Sequence, residues 1–286
     1  MQKVMQKTWF ITGAGRGLGA DIARAAMQAG DRVVAAGRNK AAVSDMLGPD
    51  SDQLMAVELD VNNEKQAQAA VDAAVARFGS IEVLVNNAGY GHLGLFEETS
   101  VQDVQSQFGT NLFGVFNVTR VVLPLMRAAR QGRIFNLSSL AGMRGVAFGS
   151  LYCASKFALE GFSESLAQEV AAFNIQVVIV EPGPFRTDFL SKDSIRFAAH
   201  AVADYDMSRS AYHSSFTQRD GQQPGDPVKL AMAMVRLARE PEPPRRFVAG
   251  SVAYESIKSK LSDMQSELTQ WRELSLATDG DYASLR

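Results

Sequence analysis

Short apolar runs rich in β-branched residues recur along the first two-thirds of the chain, separated by segments of helical period, and no other feature limits the fold so strongly. Thr8–Thr12, Arg32–Ala36, Leu54–Leu59, Ile81–Asn86, Arg133–Leu137 and Ile175–Val180 read as strands. Between them, Leu18–Gln28, Lys40–Leu47, Glu64–Phe78, a long stretch from Val101 to Ala129, and the segment from Tyr152 to Leu166 read as helices. In Glu64–Phe78 the residues Ala67, Ala70, Val71 and Ala74 share one side, the stripe a helix needs to cover a sheet. Strands apolar on both faces and linked by helices form a parallel sheet covered on both sides, hence a doubly wound α/β domain of the Rossmann type. Nothing before residue 190 marks a domain boundary, so one domain is expected over residues 1–286.

A glycine-rich segment, Thr12–Gly19, falls between the first strand and the first helix. Gly13, Gly17 and Gly19 permit a tight turn and let the backbone approach a pyrophosphate, for which the helix N-terminus supplies unpaired N–H groups and a positive dipole end. The loop residues expected at a dinucleotide are Gly13, Gly15, Arg16, Gly17, Leu18 and Gly19. A site for NAD carries Asp or Glu at the end of the second strand to bind the ribose 2′-OH, whereas arginine there matches the 2′-phosphate of NADP. This chain has Gly37-Arg38, with Asp31 badly placed before the strand. Arg38 with Arg16 therefore favours NADP(H) over NAD(H).

Ser139, Tyr152 and Lys156 suggest what is done with that cofactor. On a helix, residues four apart share a face, so Lys156 stands beside Tyr152. A phenol has a reference pKa near ~10, and an adjacent ammonium stabilises the phenolate enough for proton exchange. Ser139 ends the strand before, where a hydroxyl can hold the substrate oxygen. The net charge of −2 gives no footprint for nucleic acid or an anionic membrane, and His92, His200 and His213 are too scattered for a metal site. Cys153 is the one cysteine, which excludes an internal disulfide and reads as a packed thiol. Without a targeting segment near Met1, a cytoplasmic location is expected. The apolar run Leu112–Met126 is broken by Gly114, Asn117, Arg120 and Pro124 and suits a core or subunit interface.

Together these motifs resemble the short-chain dehydrogenase/reductase family from about Thr8 to Leu190. The resemblance rests on TGxxxGxG at Thr12–Gly19, Asp60-Val61, Asn86-Asn87-Ala88-Gly89, Asn111, Ser139, YxxxK at Tyr152 and Lys156, and Pro182-Gly183 with Thr187. It implies that Asp60 and Val61 lie at the adenine, and Asn87, Ala88 and Gly89 at the cofactor ribose. Thr187, after Pro182 and Gly183, would hold the nicotinamide carboxamide, and Lys156 the nicotinamide ribose. Asn111 would complete a catalytic set with Ser139, Tyr152 and Lys156 by holding a water; read alone, it is a helix-interior polar residue satisfied locally. The expected function is hydride transfer between NADP(H) and a carbonyl or alcohol, with an apolar ketone or aldehyde as substrate. The competing reading is a catalytically silent NADP(H)-binding regulatory or redox-sensing protein on the same fold.

Substrate contacts are expected from Tyr90, His92, Leu140, Met143, Phe148 and Phe185, although His92 reads equally as a surface loop residue. Residues 189–225, with Phe197, Tyr205, Tyr212 and Phe216, lie where the family carries a substrate lid. Over 251–274, Tyr254, Ile257, Leu261, Met264, Leu268 and Trp271 recur at steps of three and four, a stripe that covers either its own domain or a second subunit. A homodimer or homotetramer is expected. The tail resembles a branch with 17β-hydroxysteroid and retinol dehydrogenase-like proteins and many bacterial oxidoreductases.

Overall fold

The structure is a computed structural model that describes residues 6–190 and 194–280. Its first half alternates strictly: β1 Thr8–Thr12, α1 Gly17–Gln28, β2 Arg32–Gly37, α2 Lys40–Leu47, β3 Leu54–Glu58, α3 Glu64–Phe78, β4 Val83–Asn86. A short strand β5, Gly91–Leu93, precedes α4 Val101–Phe108 and α5 Gly114–Ala129. Then follow β6 Gly132–Leu137, α6 Ser150–Val170, β7 Ile175–Pro182, a short β8 Ile195–Phe197, α7 Asp206–Gln218 and α8 Pro227–Leu237. The chain closes with β9 Arg246–Ala249, α9 Ser251–Gln270 and α10 Arg272–Leu276.

Seven strands form one parallel sheet in the order β3-β2-β1-β4-β6-β7-β9. The order reverses between β1 and β4, where connections leave in opposite directions and open a crevice beyond the strands' carboxyl ends. Alternate strand residues feed two cores. Trp9, Ile11 and Phe135 pack against Ile22 and Ala26 of α1 and Met234 of α8, while Phe10, Leu84 and Ile134 pack against α3, α5 and the end of α6. Both faces are thus covered, as the β-branched runs require.

The expected single helix from Val101 to Ala129 is interrupted. Gly109–Phe113 forms a π turn between α4 and α5, and Asn111 within it is buried. The combined stretch is long and apolar enough by composition to span a bilayer. Here its Val118, Val122 and Met126 are buried in the sheet-facing core. Asp31, rejected above as a ribose-binding acid, is a structural residue: it accepts from Trp9 Nε1 at 2.9 Å and Lys7 N at 3.1 Å and pairs with Arg239 at 2.9 Å.

Segment 189–225, of which residues 191–193 lie outside the described residues, contains β8, which pairs in parallel with β5, and then α7. The expected helix over 251–274 runs over Ser251–Gln270, turns at Trp271 and resumes. Its stripe does not cover its own domain: Ala253 and Ile257 are buried, but Tyr254, Leu261, Met264, Leu268 and Trp271 are exposed.

Candidate active site

The crevice at the β1/β4 reversal opens into a cleft of about 1010 Å³, at the upper end of the ~300–1,000 Å³ usual for ligand sites. One end is the glycine loop. Gly13 and Gly17 have φ of 66° and 51°, which bulkier residues rarely adopt. A Cβ on Gly19 would stand 2.5 Å from Asn87 Nδ2 and closer still to the Gly13 carbonyl oxygen, so α1 can approach the loop only with glycine there. Gly15 packs towards Val43 rather than the cleft. The loop is locked from β4: Thr12 Oγ1 accepts from the backbone N–H of Asn87 and of Ala88, both at 3.0 Å, and Asn87 Nδ2 donates to Thr12 O at 2.9 Å. The Asn87 side chain therefore shapes the loop as well as the cleft wall.

The N-terminus of α1 is left open by its own side chains. Side chains cap α2 (Asn39), α3 (Asn63), α4 (Ser100) and α8 (Asp226), but none caps α1. Gly17 and Leu18 of its first turn line the cleft beside Gly13, which suits a pyrophosphate bound by unpaired first-turn N–H groups. Arg16 and Arg38 line this end, as do Asp60 and Val61, and Asp60 Oδ1 accepts from Asn62 N at 3.0 Å. Ala88, Gly89, Pro182, Gly183 and Thr187 line the cleft farther in, so the loop, strand-end and Pro-Gly motifs meet along one groove.

At the inner end, β6 and α6 bring Ser139, Tyr152 and Lys156 together. Lys156 Nζ donates to Leu137 O at 2.6 Å and lies 5.8 Å from the centre of the Tyr152 ring. Burial pushes the Tyr152 phenol up to about 12, opposed by a hydrogen bond with Ser139. Burial also brings the Lys156 ammonium down to about 8, opposed by the nearby Glu160 carboxylate. Each group alone resists ionisation; a phenolate and an ammonium formed side by side neutralise one another. Beneath them Asn86 Nδ2 donates to Thr119 Oγ1 at 3.0 Å and Asn136 Oδ1 at 2.8 Å, and Asn136 Nδ2 to Ser163 Oγ at 2.8 Å, tying β4 and β6 to α5 and α6.

Asn111 is held by hydrogen bonds across the fold. Its Oδ1 accepts from Tyr90 N at 3.1 Å, and its Nδ2 donates to Tyr90 O at 3.0 Å and Ser155 Oγ at 3.3 Å. The side chain is satisfied, but across the fold rather than within its own helix, and it fixes the segment that carries Tyr90 beside the cleft.

Of the expected substrate contacts, Tyr90, Leu140 and Phe185 line the cleft. His92, Met143 and Phe148 do not. His92 is no surface residue: it lies buried in β5 with Nε2 3.3 Å from Asp103 Oδ1, and burial lowers its pKa. Met143 turns away to Arg246, whose Nη1 is 3.3 Å from its Sδ. Phe148 adopts φ of 68° and is buried beneath α7, its ring 5.4 Å from Tyr212 and 6.2 Å from Phe216. It supports these two aromatics of α7, which do reach the cleft.

Other cleft residues carry no local signature. Phe189 stands with its ring 5.6 Å from that of Tyr152. Arg196 lies 4.7 Å over the Tyr90 ring. Behind α6, Glu160 accepts from Ser138 Oγ, and Arg246 joins Glu160, Glu164 and Glu181. Only their types, buried carboxylates needing a cation, could have signalled this cluster. Burial raises the Cys153 thiol, in keeping with a packed, unreactive side chain.

Comparison with known proteins agrees with this geometry. The family model described as short chain dehydrogenase matches residues 7–196. A 3-ketodihydrosphingosine reductase from Bacteroides thetaiotaomicron is 36% identical over 89% of this chain and 93% of its own. The crystal structure of a short-chain dehydrogenase from Streptomyces avermitilis superposes with a TM-score of 0.89 at 37% identity, covering 96% of this chain and 100% of that one. A short chain dehydrogenase/reductase from Burkholderia phymatum, in complex with NAD, superposes at 0.81 with 25% identity, over 93% and 97% of the two chains.

Proposed function

The chain belongs to the short-chain dehydrogenases, an oxidoreductase family, and from that premise we propose that it interconverts an apolar ketone or aldehyde and the corresponding alcohol with NADP(H). The observation that carries the reading is the Ser139, Tyr152 and Lys156 cluster in one groove with the glycine loop, Arg16 and Arg38. When bound, the dinucleotide supplies hydride to the carbonyl carbon or accepts it from the carbinol.

The chain's own residues do the remaining work. Ser139 and Tyr152 hold the substrate oxygen, and Tyr152 gives its phenolic proton to that oxygen in reduction or takes it in oxidation. Lys156, its amine fixed on Leu137 O, stabilises the phenolate this leaves. Phe189, Tyr212 and Phe216 give the substrate end an apolar, aromatic wall that excludes water. That wall, together with the sphingoid ketone named for one relative, favours a substrate with a long apolar portion. Arg16 and Arg38 favour the 2′-phosphate, since two guanidinium groups at the adenosine end supply charge-assisted bonds that a bare 2′-OH does not need.

The experiment is a panel of long-chain 3-ketones, cyclic ketones and aldehydes followed by NADPH absorbance, repeated with NADH and with Tyr152→Phe. Turnover of an apolar member, a lower Michaelis constant for NADPH, and loss of turnover in the variant with cofactor binding intact are expected. No turnover across the panel removes the catalytic reading, and preference for NADH removes the cofactor assignment.

A further inference from the structure

The exposed stripe of α9 asks for a partner. Tyr254, Ile257, Leu261, Met264, Leu268 and Trp271 follow steps of three, four, three, four and three, the spacing of a coiled-coil seam rather than of a helix lying on a sheet. After Ile257 the helix leaves its domain: Leu261, Leu268 and Trp271 are 52%, 65% and 57% exposed. The part from Lys258 to Gln270 runs for about 20 Å at ~1.5 Å per residue with no packing of its own. A helix that short is marginal in water without a tertiary contact, and such a row of large apolar side chains marks an interaction surface.

We propose that this seam pairs antiparallel with α9 of a second copy of the chain. The charges beside the seam select both occupant and direction. Lys260 and Glu267 hold equivalent flanking positions one heptad apart, and in an antiparallel pair such positions face each other. With the two-fold axis between Leu261 and Met264, Leu261 meets Met264 of the partner subunit, Lys260 meets the partner's Glu267, and Glu267 meets the partner's Lys260. The same surface thus serves both copies, as a two-fold interface requires. The other flanking contact, Lys258 against the partner's Gln265, carries no repulsion. A parallel pair would set Lys260 against the partner's uncharged Gln265, without the ion pair, and both domains at the same end of the helices. A lipid surface fits less well, because Lys258, Lys260 and Arg272 are matched by Glu255, Asp263, Glu267 and Glu273, without the basic excess of membrane-lying helices.

Sedimentation of the full-length protein tests this with four variants. Leu261→Asp/Leu268→Asp is expected to remove one association step while NADPH binding and the far-ultraviolet dichroism of the domain persist. Glu267→Lys and Lys260→Glu each set like charges together twice, and each is expected to weaken that step by about tenfold. The double exchange Lys260→Glu/Glu267→Lys restores opposite charges and is expected to recover association to within about threefold of the parent. The proposal is overturned if the leucine variant removes no step or if the double exchange is as weak as the single ones. Stripe-dependent flotation of the parent with phosphatidylcholine vesicles, in place of self-association, overturns it as well.

Discussion

Replacing Lys156 by methionine sets stability against turnover. Burial lowers the ammonium from 10.5 in an unfolded chain to about 8 in the folded protein. A base whose pKa falls on folding penalises the folded state wherever the proton is still bound: fully below pH 8, less as pH rises, and not at all above 10.5. At neutral pH this amounts to about 3 kcal/mol. Methionine has a similar length and no charge, so it removes the penalty. It also gives up the bond to Leu137 O, and a buried carbonyl losing a donor costs roughly 1–2 kcal/mol. The variant should therefore be more stable at pH 7 by about 1–2 kcal/mol, a rise of roughly 2–5 °C in melting temperature. The gain should close near pH 9.5, where the parent has shed most of its own penalty. Turnover should move the other way. A charge 5.8 Å from the Tyr152 ring is worth about 3 kcal/mol at an effective dielectric of ~20, or about 100-fold in rate. Thermal melts at pH 7 and 9.5, with kcat/KM for the best alcohol of the panel, read both effects. A variant that melts several degrees below the parent at pH 7, or that keeps its turnover, refutes the account of this lysine as a charge held at the expense of stability.

Two further substitutions test the cofactor cradle and the support behind α6. Gly19→Ala places its Cβ 2.5 Å from Asn87 Nδ2, so the loop must open. An overpacking cost of ~1–3 kcal/mol should weaken dinucleotide binding about tenfold or more in a fluorescence titration, and an unchanged dissociation constant would show that α1 need not approach Gly13. Arg246→Met leaves Glu160 and Glu181 buried without their cation, at a cost of about 3–5 kcal/mol in denaturant unfolding at pH 8. Burial already raises both carboxyl pKa values, so protonation at pH 5 should recover part of the loss, and an equal loss at both pH values contradicts the pairing.

The motifs near the cofactor groove were legible because each is local: a loop needing glycine at Gly13 and Gly17, a strand ending at Gly37-Arg38, a tyrosine and lysine one helical turn apart. Periodicity also gave the first six strands of the main sheet to within about two residues at either end. It did not give the π turn at Gly109–Phe113, since one extra residue in a helix leaves the apolar pattern on either side intact. His92 misled for a related reason. A strand of three residues, Gly91–Leu93, is too short to show alternation, and its partner Ile195–Phe197 lies about a hundred residues away, so burial of this imidazole depends on a pairing no local pattern encodes.

The substrate end of the cleft lies beyond sequence for the same reason carried further. Phe148 and Tyr212 stack only because β8 returns beside β5 and because Phe148 holds φ of 68°, a conformation a bulky side chain rarely takes without surrounding support. The Gly94 N–H, donating to Phe148 O at 2.8 Å, provides part of that support, so the strand that buries His92 also aims the aromatic shelf under α7. The proposed catalytic groups are thus set by one helix and one strand end of the rigid sheet, whereas the walls proposed to select substrate are set by weak pairings between distant short segments. A chain built this way can change what it accepts without disturbing Ser139, Tyr152 and Lys156, which is why those residues announce a reaction and leave its substrate to the lid.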